Sequence, residues 1–200
     1  MTAVPPVEAF LLAGGQSRRM GRDKAAMSFD SSTFAETIAA TVRPVVSTTT
    51  IVGRAEPLGG LRAVSDLRPG CGPLAGIETA LSVCASQFAL VLACDIPLVS
   101  RELVEFLFDE AFRRSLSIVV PLDAGGRVSP LCGVYPKAAL PTVSALLDAG
   151  ERMPRALFRA FSTIEVPFED YAHLPRARDL LRNVNTPEDY VTLPRGSASE

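Results

Sequence analysis

An apolar run from Val7 to Leu12 breaks abruptly into Ala-Gly-Gly-Gln-Ser-Arg-Arg-Met-Gly-Arg-Asp-Lys, residues 13–24, and nothing else in the chain constrains it as tightly. The run predicts a strand, and residues 13–24 predict a glycine-rich loop leading toward a helix. Glycines let the backbone approach a ligand closely and present bare N–H groups. Arg18, Arg19, Arg22 and Lys24 stand in the loop against a single acid, Asp23. Such guanidinium and ammonium groups give charge-assisted donors suited to phosphate. The segment therefore reads as a polyphosphate cradle, with a mobile, solvated surface loop as the alternative. It is not a Walker A loop, because Lys24 follows Asp23 and precedes Ala25, nor is it the G-x-G-x-x-G dinucleotide fingerprint.

The 200 residues suffice for one α/β domain with a sizeable core. We place the domain at residues 1–194 and expect a disordered tail at 195–200. Apolar residues make up 48% and charged residues 21%, both globular values. A formal charge of −2 argues against a nucleic-acid or membrane-surface binder. No apolar run reaches the roughly 18 residues that span a bilayer. The opening Met-Thr-Ala-Val-Pro-Pro lacks the basic start of a secretion signal, so the expected location is cytoplasmic. Cys71, Cys84, Cys94 and Cys132 form no C-x-x-C pair and match neither a zinc site nor a redox motif. Cys84 and Cys132 sit among apolar neighbours and read as small core residues. The single histidine, His173, is remote from every motif, which argues against a His-dependent triad.

Strands and helices alternate along the chain, which predicts a mostly parallel sheet between helical layers. Thr33-x-x-Glu36 is a capping box ahead of Phe34, Ile38 and Val42, which share one helical face. Thr48 to Val52 and Leu61 to Val64 read as strands. Pro73 opens a helix whose buried side carries Leu74, Ile77, Leu81 and Cys84. Phe88 to Cys94 is continuously apolar, as a central parallel strand should be. Ser100 caps the next helix, with Leu103, Leu107 and Ala111 as its core stripe. Ser117 to Val120 and Leu131 to Tyr135 are further strands, one of this late group being expected to run antiparallel. Pro141 and Gly150 bracket a helix, Pro154 begins a short one, and Thr163 to Val166 is the last strand. Thr186-Pro-Glu-Asp caps a terminal helix.

In open α/β sheets ligands bind outside the carboxyl ends of the strands. The glycine loop, Asp66 and Asp95 all follow strands at that edge. Asp95 closes an apolar strand, where a carboxylate is poorly solvated unless a cation or hydrogen bonds compensate it. Mg2+ bridging nucleotide phosphates would do so; a cap on the turn toward Pro97 is the alternative. Asp66 either bonds a base or ribose or starts the turn before Pro69.

Five ordered blocks cover nearly the whole chain: Leu-Ala-Gly-Gly-x-Ser-x-Arg-Met-Gly-x-Asp-Lys (12–24), Gly-Pro-Leu-Ala-Gly-Ile (72–77), Ala-Cys-Asp-Ile-Pro (93–97), Gly-Glu-Arg (150–152) and Asn-Val-Asn-Thr-Pro-Glu-Asp (183–189). They resemble the molybdenum cofactor guanylyltransferases. The double glycine Gly14-Gly15 is closer to that family than to the related cytidylyltransferases, which generally have Ala-Ala-Gly there. The resemblance implies a single-domain, three-layer nucleotidyltransferase fold with a Rossmann-like sheet. It implies that Leu12, Ala13, Gly14 and Gly15 meet GTP through the backbone and that Lys24 pairs with its phosphates. It implies that Asp66 helps hold the guanosine and that Asp95 ligates Mg2+. Asn183 and Asn185, and more weakly Arg152, match positions tied to the pterin side of the site. A turn and cap network before Pro187 is the other reading of the two asparagines. Family members often carry an asparagine after the second strand for the guanine. Here that stretch is Ile51-Val-Gly-Arg, so base recognition falls to backbone groups or other residues.

The implied reaction is attack by the terminal phosphate of molybdopterin on the α-phosphorus of GTP, expelling pyrophosphate. That nucleophile is already ionised near neutral pH and needs no strong base. Catalysis would come from positioning and charge neutralisation, by Mg2+ at Asp95 and by Lys24, Arg18 and the other loop arginines. The partners implied are GTP, the molybdopterin-type cofactor and transient contacts with other molybdenum cofactor proteins. Two rivals remain: a cytidylyltransferase or sugar-phosphate nucleotidyltransferase of the same fold, and a non-catalytic nucleotide- or cofactor-binding protein.

Overall fold

A computed structural model of the chain describes residues 6–13, 24–29, 32–114, 116–184, 189 and 191–192. The expected tail and the start of the expected terminal helix lie outside them; Asp189 and Val191 are helical.

The first strand, β1 (Val7–Leu12), is the centre of the molecule. It pairs in parallel with β4 (Thr48–Val52) on one side and with β6 (Phe88–Ala93) on the other. β5 (Arg62–Val64) adds outside β4, again parallel. Beyond β6 come β8 (Cys132–Pro136), β7 (Ile118–Pro121) and β9 (Thr163–Val166), giving the order β5-β4-β1-β6-β8-β7-β9. Only β8 runs against its neighbours β6 and β7. This is the expected mostly parallel sheet with a late antiparallel strand. A two-stranded hairpin of β2 (Ser28–Phe29) and β3 (Ser32–Thr33) was not visible in the sequence. Elements of two residues carry no periodicity to read.

Alternation along the central strands feeds two separate cores. Val7, Ala9 and Leu11 of β1 and Leu90 and Leu92 of β6 pack on one face, against α1 (Phe34–Val42) and α3 (Arg101–Arg113). Phe10, Leu12, Ala89 and Val91 point to the other face, against α2 (Pro73–Val83), α4 (Leu140–Asp148) and α5 (Pro154–Ala160). A strand buried on both sides must be apolar throughout, which is why β6 reads as an unbroken run.

Local signals hold where they were strong. The Thr33 hydroxyl accepts from the Glu36 N–H at 3.2 Å, and the Glu36 carboxylate accepts from the Thr33 N–H at 2.8 Å. Ser100 caps α3 through the Leu103 N–H, and Gly150, at φ +90°, ends the turn after α4. One further helical turn, α6 (Phe168–Tyr171), follows β9. Its Tyr171 hydroxyl donates to the Leu122 carbonyl, and Tyr135 donates to the Pro130 carbonyl, so the loop joining β7 to β8 is held at both ends.

Candidate active site

The parallel strands end together. The Ala13 N–H donates to the Val52 carbonyl (2.8 Å), the Cys94 N–H to the Leu12 carbonyl (3.2 Å) and the Gly53 N–H to the Val64 carbonyl (2.9 Å). The Leu12 carbonyl and Ala13 N–H are thereby committed to the sheet. Gly14, Gly15 and Arg18 lie outside the described residues, as does Asn185. The chain returns at Lys24, which opens a short 3-10 turn, Lys24–Ala26, anchored by the fully buried Ala25. Gly53, at the place where the resembled family often has asparagine, sits at φ +96°, a backbone that side chains rarely adopt.

The Gly-Pro-Leu-Ala-Gly-Ile block owes its glycines to close packing. Gly72 has φ +78°, and a Cβ there would meet the Arg152 carbonyl oxygen at 3.1 Å. A Cβ on Gly76 would meet the Leu12 side chain at 3.1 Å. Gly76 lets α2 pack hard against the end of β1, and Gly72 lets the helix start against the Arg152 backbone. The Leu74 N–H of its first turn is taken by the Arg152 carbonyl (3.1 Å).

Asp66 follows β5 and is pinned from its neighbours. The Leu67 N–H donates to the buried Thr79 hydroxyl (3.0 Å). The Arg68 Nε donates to Glu78 at 2.9 Å, and its other arm reaches Asp148, tying the segment to α2 and α4. Glu78 is buried and also accepts from Ser144 (2.8 Å). One carboxylate oxygen of Asp66 is buried without a hydrogen-bond partner. That burial raises its pKa above the usual aspartate range. A lone buried acceptor at a strand's carboxyl end suits a hydroxyl or N–H donor brought by a ligand.

Asp95 lies two residues past β6 and lines a cavity of about 710 Å3. Its backbone carbonyl accepts from the Val184 N–H (2.8 Å), which stitches the 183–184 segment onto the end of the strand. Asn183 consequently faces the same cavity. The opposite wall is the β7–β8 loop. There burial pulls the Asp123 carboxyl up, but the N–H donors of Arg127 and Gly125 and the Arg127 guanidinium outweigh it and hold its pKa low. Arg155, in the first turn of α5, lines the cavity, and so does Arg178. Arg152 does not: its guanidinium donates to the Leu147 (3.1 Å) and Glu151 (2.8 Å) carbonyls beside the start of α2. The arginine of the Gly-Glu-Arg block thus braces backbone, while the one three residues on faces the cavity. Only the facing direction of α5 distinguishes them, and no sequence pattern announces it. His173 is exposed and lines neither wall.

The comparisons with known proteins agree with this geometry. Residues 9–165 match the MobA-like NTP transferase domain. The chain belongs to that family. A molybdenum cofactor guanylyltransferase of Pseudomonas syringae pv. tomato is 34% identical over 191 residues, covering 92% of each chain. A probable molybdenum cofactor guanylyltransferase of Carboxydothermus hydrogenoformans is 32% identical over 188 residues, again covering 92% of each. The fold is shared with molybdopterin-guanine dinucleotide biosynthesis protein A of Archaeoglobus fulgidus, with a TM-score of 0.79, 24% identity and coverage of 92% and 95%. It is shared also with a 2-C-methyl-D-erythritol 4-phosphate cytidylyltransferase of Thermus thermophilus, with a TM-score of 0.66, 18% identity and coverage of 91% and 94%. This MobA-like chain is accordingly a nucleotidyltransferase. Among its described residues no helix is long and apolar enough to cross a membrane.

Proposed function

We propose that this protein transfers GMP from GTP to the terminal phosphate of a molybdopterin-type cofactor, releasing pyrophosphate, in the cytoplasm. The observation that carries the reading is the bond from the Val184 N–H to the Asp95 carbonyl. It holds Asn183 beside the end of β6, so that the residue we assign to the acceptor and the carboxylate we assign to the nucleotide's metal line one cavity. The guanylyl donor is supported by the names of the full-length relatives.

Mg2+ fits the donor set. Among the described residues no three His, Cys, Asp or Glu side chains form a cluster that could hold a metal. A single carboxylate at Asp95 suits an ion that arrives on a nucleotide and takes most of its remaining oxygens from phosphates and water. Bound there, Mg2+ would neutralise charge on the triphosphate. The protein's own part is positional. The glycine loop and Lys24 hold the phosphates, Asp66 accepts a donor of the nucleoside, and Asn183 and Asn185 orient the acceptor. Because the attacking group is an ionised phosphate, no side chain has to remove a proton.

Pyrophosphate release should require GTP, the acceptor and Mg2+ together. Thermal-shift titrations with GTP, CTP, ATP and UTP should rank GTP first, with the shift enlarged by Mg2+. A larger shift with CTP would replace the guanylyl assignment by a cytidylyl one.

A further inference from the structure

The cavity beside Asp95 holds more positive charge than its own acids use. Four arginines line it: Arg127, Arg155, Arg178 and Arg182. Arg127 is paired with Asp123 at 2.9 Å. Arg182 donates to the carbonyl and hydroxyl of Thr192. Arg178 lies over the ring of Phe168, its Cζ 5.4 Å from the centroid. Stacking engages the face of a guanidinium and leaves its in-plane N–H donors open. Arg155 makes no hydrogen bond, ion pair or ring contact among the described residues. An exposed guanidinium on a cavity wall with no protein acceptor keeps its donors available to an incoming anion.

We infer that Arg155 and Arg178 form an anion subsite that grips a second anionic group of the acceptor, distinct from the phosphate that attacks at Asp95. Asp95 leaves the end of β6, whereas Arg155 stands in the first turn of α5 and Arg178 follows α6, all three lining the one cavity. The acceptor therefore carries an oxyanion or comparable anionic group besides the phosphomonoester that attacks. Arg155 comes from α5 and Arg178 from the segment after α6, and both line the same cavity. Only the identity of the acceptor rests on the GMP-transfer reading.

Two measurements decide the subsite. In steady-state pyrophosphate release, Arg155→Gln should raise the KM for the acceptor at least tenfold with the KM for GTP unchanged, and Arg155→Lys should recover part of the loss. An unchanged acceptor KM, or an equal rise for both substrates, overturns the inference. Independently, inorganic phosphate titrated into the protein should move the backbone amide resonances of residues 155–157 and 178 saturably. Those shifts should vanish in Arg155→Gln while responses near Lys24 persist. No response at 155–157 in the parent, or the same response in the variant, also overturns it. A parent that releases no pyrophosphate from GTP and the acceptor would refute the GMP-transfer reading alone, because the phosphate titration still reports on the subsite.

Discussion

Asp95→Asn separates two roles of one carboxylate by exchanging an oxygen for an amide. The change keeps the shape and most hydrogen bonding but removes the charge a hard dication requires. As a metal-binding residue Asp95 should lose pyrophosphate release and the Mg-dependent part of GTP binding on this change, with the fold intact. As a turn cap it should lose almost nothing, since Asn and Asp serve turns alike. A magnesium titration of turnover distinguishes the outcomes. Lys24→Ala should reduce turnover more than tenfold, as the loss of a charged phosphate contact is about 1.5–3 kcal/mol; the check is GTP turnover in the folded variant. Asp66 carries a pH signature. Burial raises its folded pKa above the unfolded value, so the folded state holds its proton more tightly. Its favourable contribution is present below about pH 4 and is lost as pH rises through the folded pKa. Asp66→Asn should therefore raise the melting temperature at neutral pH, with the gain shrinking toward pH 4, while GTP binding weakens. Equal melting temperatures at pH 7 would mean that the carboxylate is not strained by burial.

At the scale of elements, the glycines of tight packing make the sharpest claims. Gly133 lies in β8, and a Cβ there would meet Val120 at 2.6 Å and the Val119 carbonyl oxygen at 2.7 Å. The second neighbour is backbone and cannot rotate away. Gly133→Ala should destabilise the protein by about 1–3 kcal/mol, the usual range for overpacking, read as a lower midpoint in thermal or urea denaturation. The elements that sequence made plain are those with redundant local signals. β6 is apolar at every position because both its faces are buried, and α1 announces itself by the reciprocal Thr33–Glu36 bonds. The Pro73 start and the Gly150 stop were equally legible. What escaped was short or relational. β2 and β3 have two residues each, and the difference between Arg152 and Arg155 depends on which way the first turn of α5 faces. The carboxylates Asp66 and Asp95 were visible because they close strands at the sheet's carboxyl edge. The orphaned oxygen of Asp66 was not, because its burial is a tertiary fact.

Over the whole molecule, β1 and β6 give alternate side chains to two cores, so neither helical layer can leave without exposing the same strands. The cysteines report on this coupling. Cys84 packs in the α2–α4–α5 layer and Cys132 in the α1–α3 layer. Burial, with the nearby Glu8 carboxylate adding to it, pushes the Cys84 thiol up to about 11. Complete burial pushes Cys132 up to about 12. Both are inaccessible and protonated at pH 8, and a protonated thiol is a poor nucleophile. Brief alkylation of the native protein should therefore spare both, whereas the half-buried Cys71 is open to reagent. Along a urea series, Cys84 and Cys132 should become reactive at one common midpoint, as a single cooperative transition requires. GTP with Mg2+ should move both midpoints together, because a ligand that binds only the folded state stabilises it by RT ln(1 + [L]/Kd), about 2.7 kcal/mol at a hundredfold excess over Kd. Were Cys84 to react at lower urea than Cys132, the α2–α4–α5 layer would be a separate folding unit. Since α2 packs against Leu12 at Gly76 and its Thr79 holds the Leu67 N–H beside Asp66, that earlier opening would also dismantle the proposed nucleotide side first. GTP would then shift the Cys84 midpoint alone, which makes the pair of thiols a test of whether the two layers and the site between them are one cooperative body.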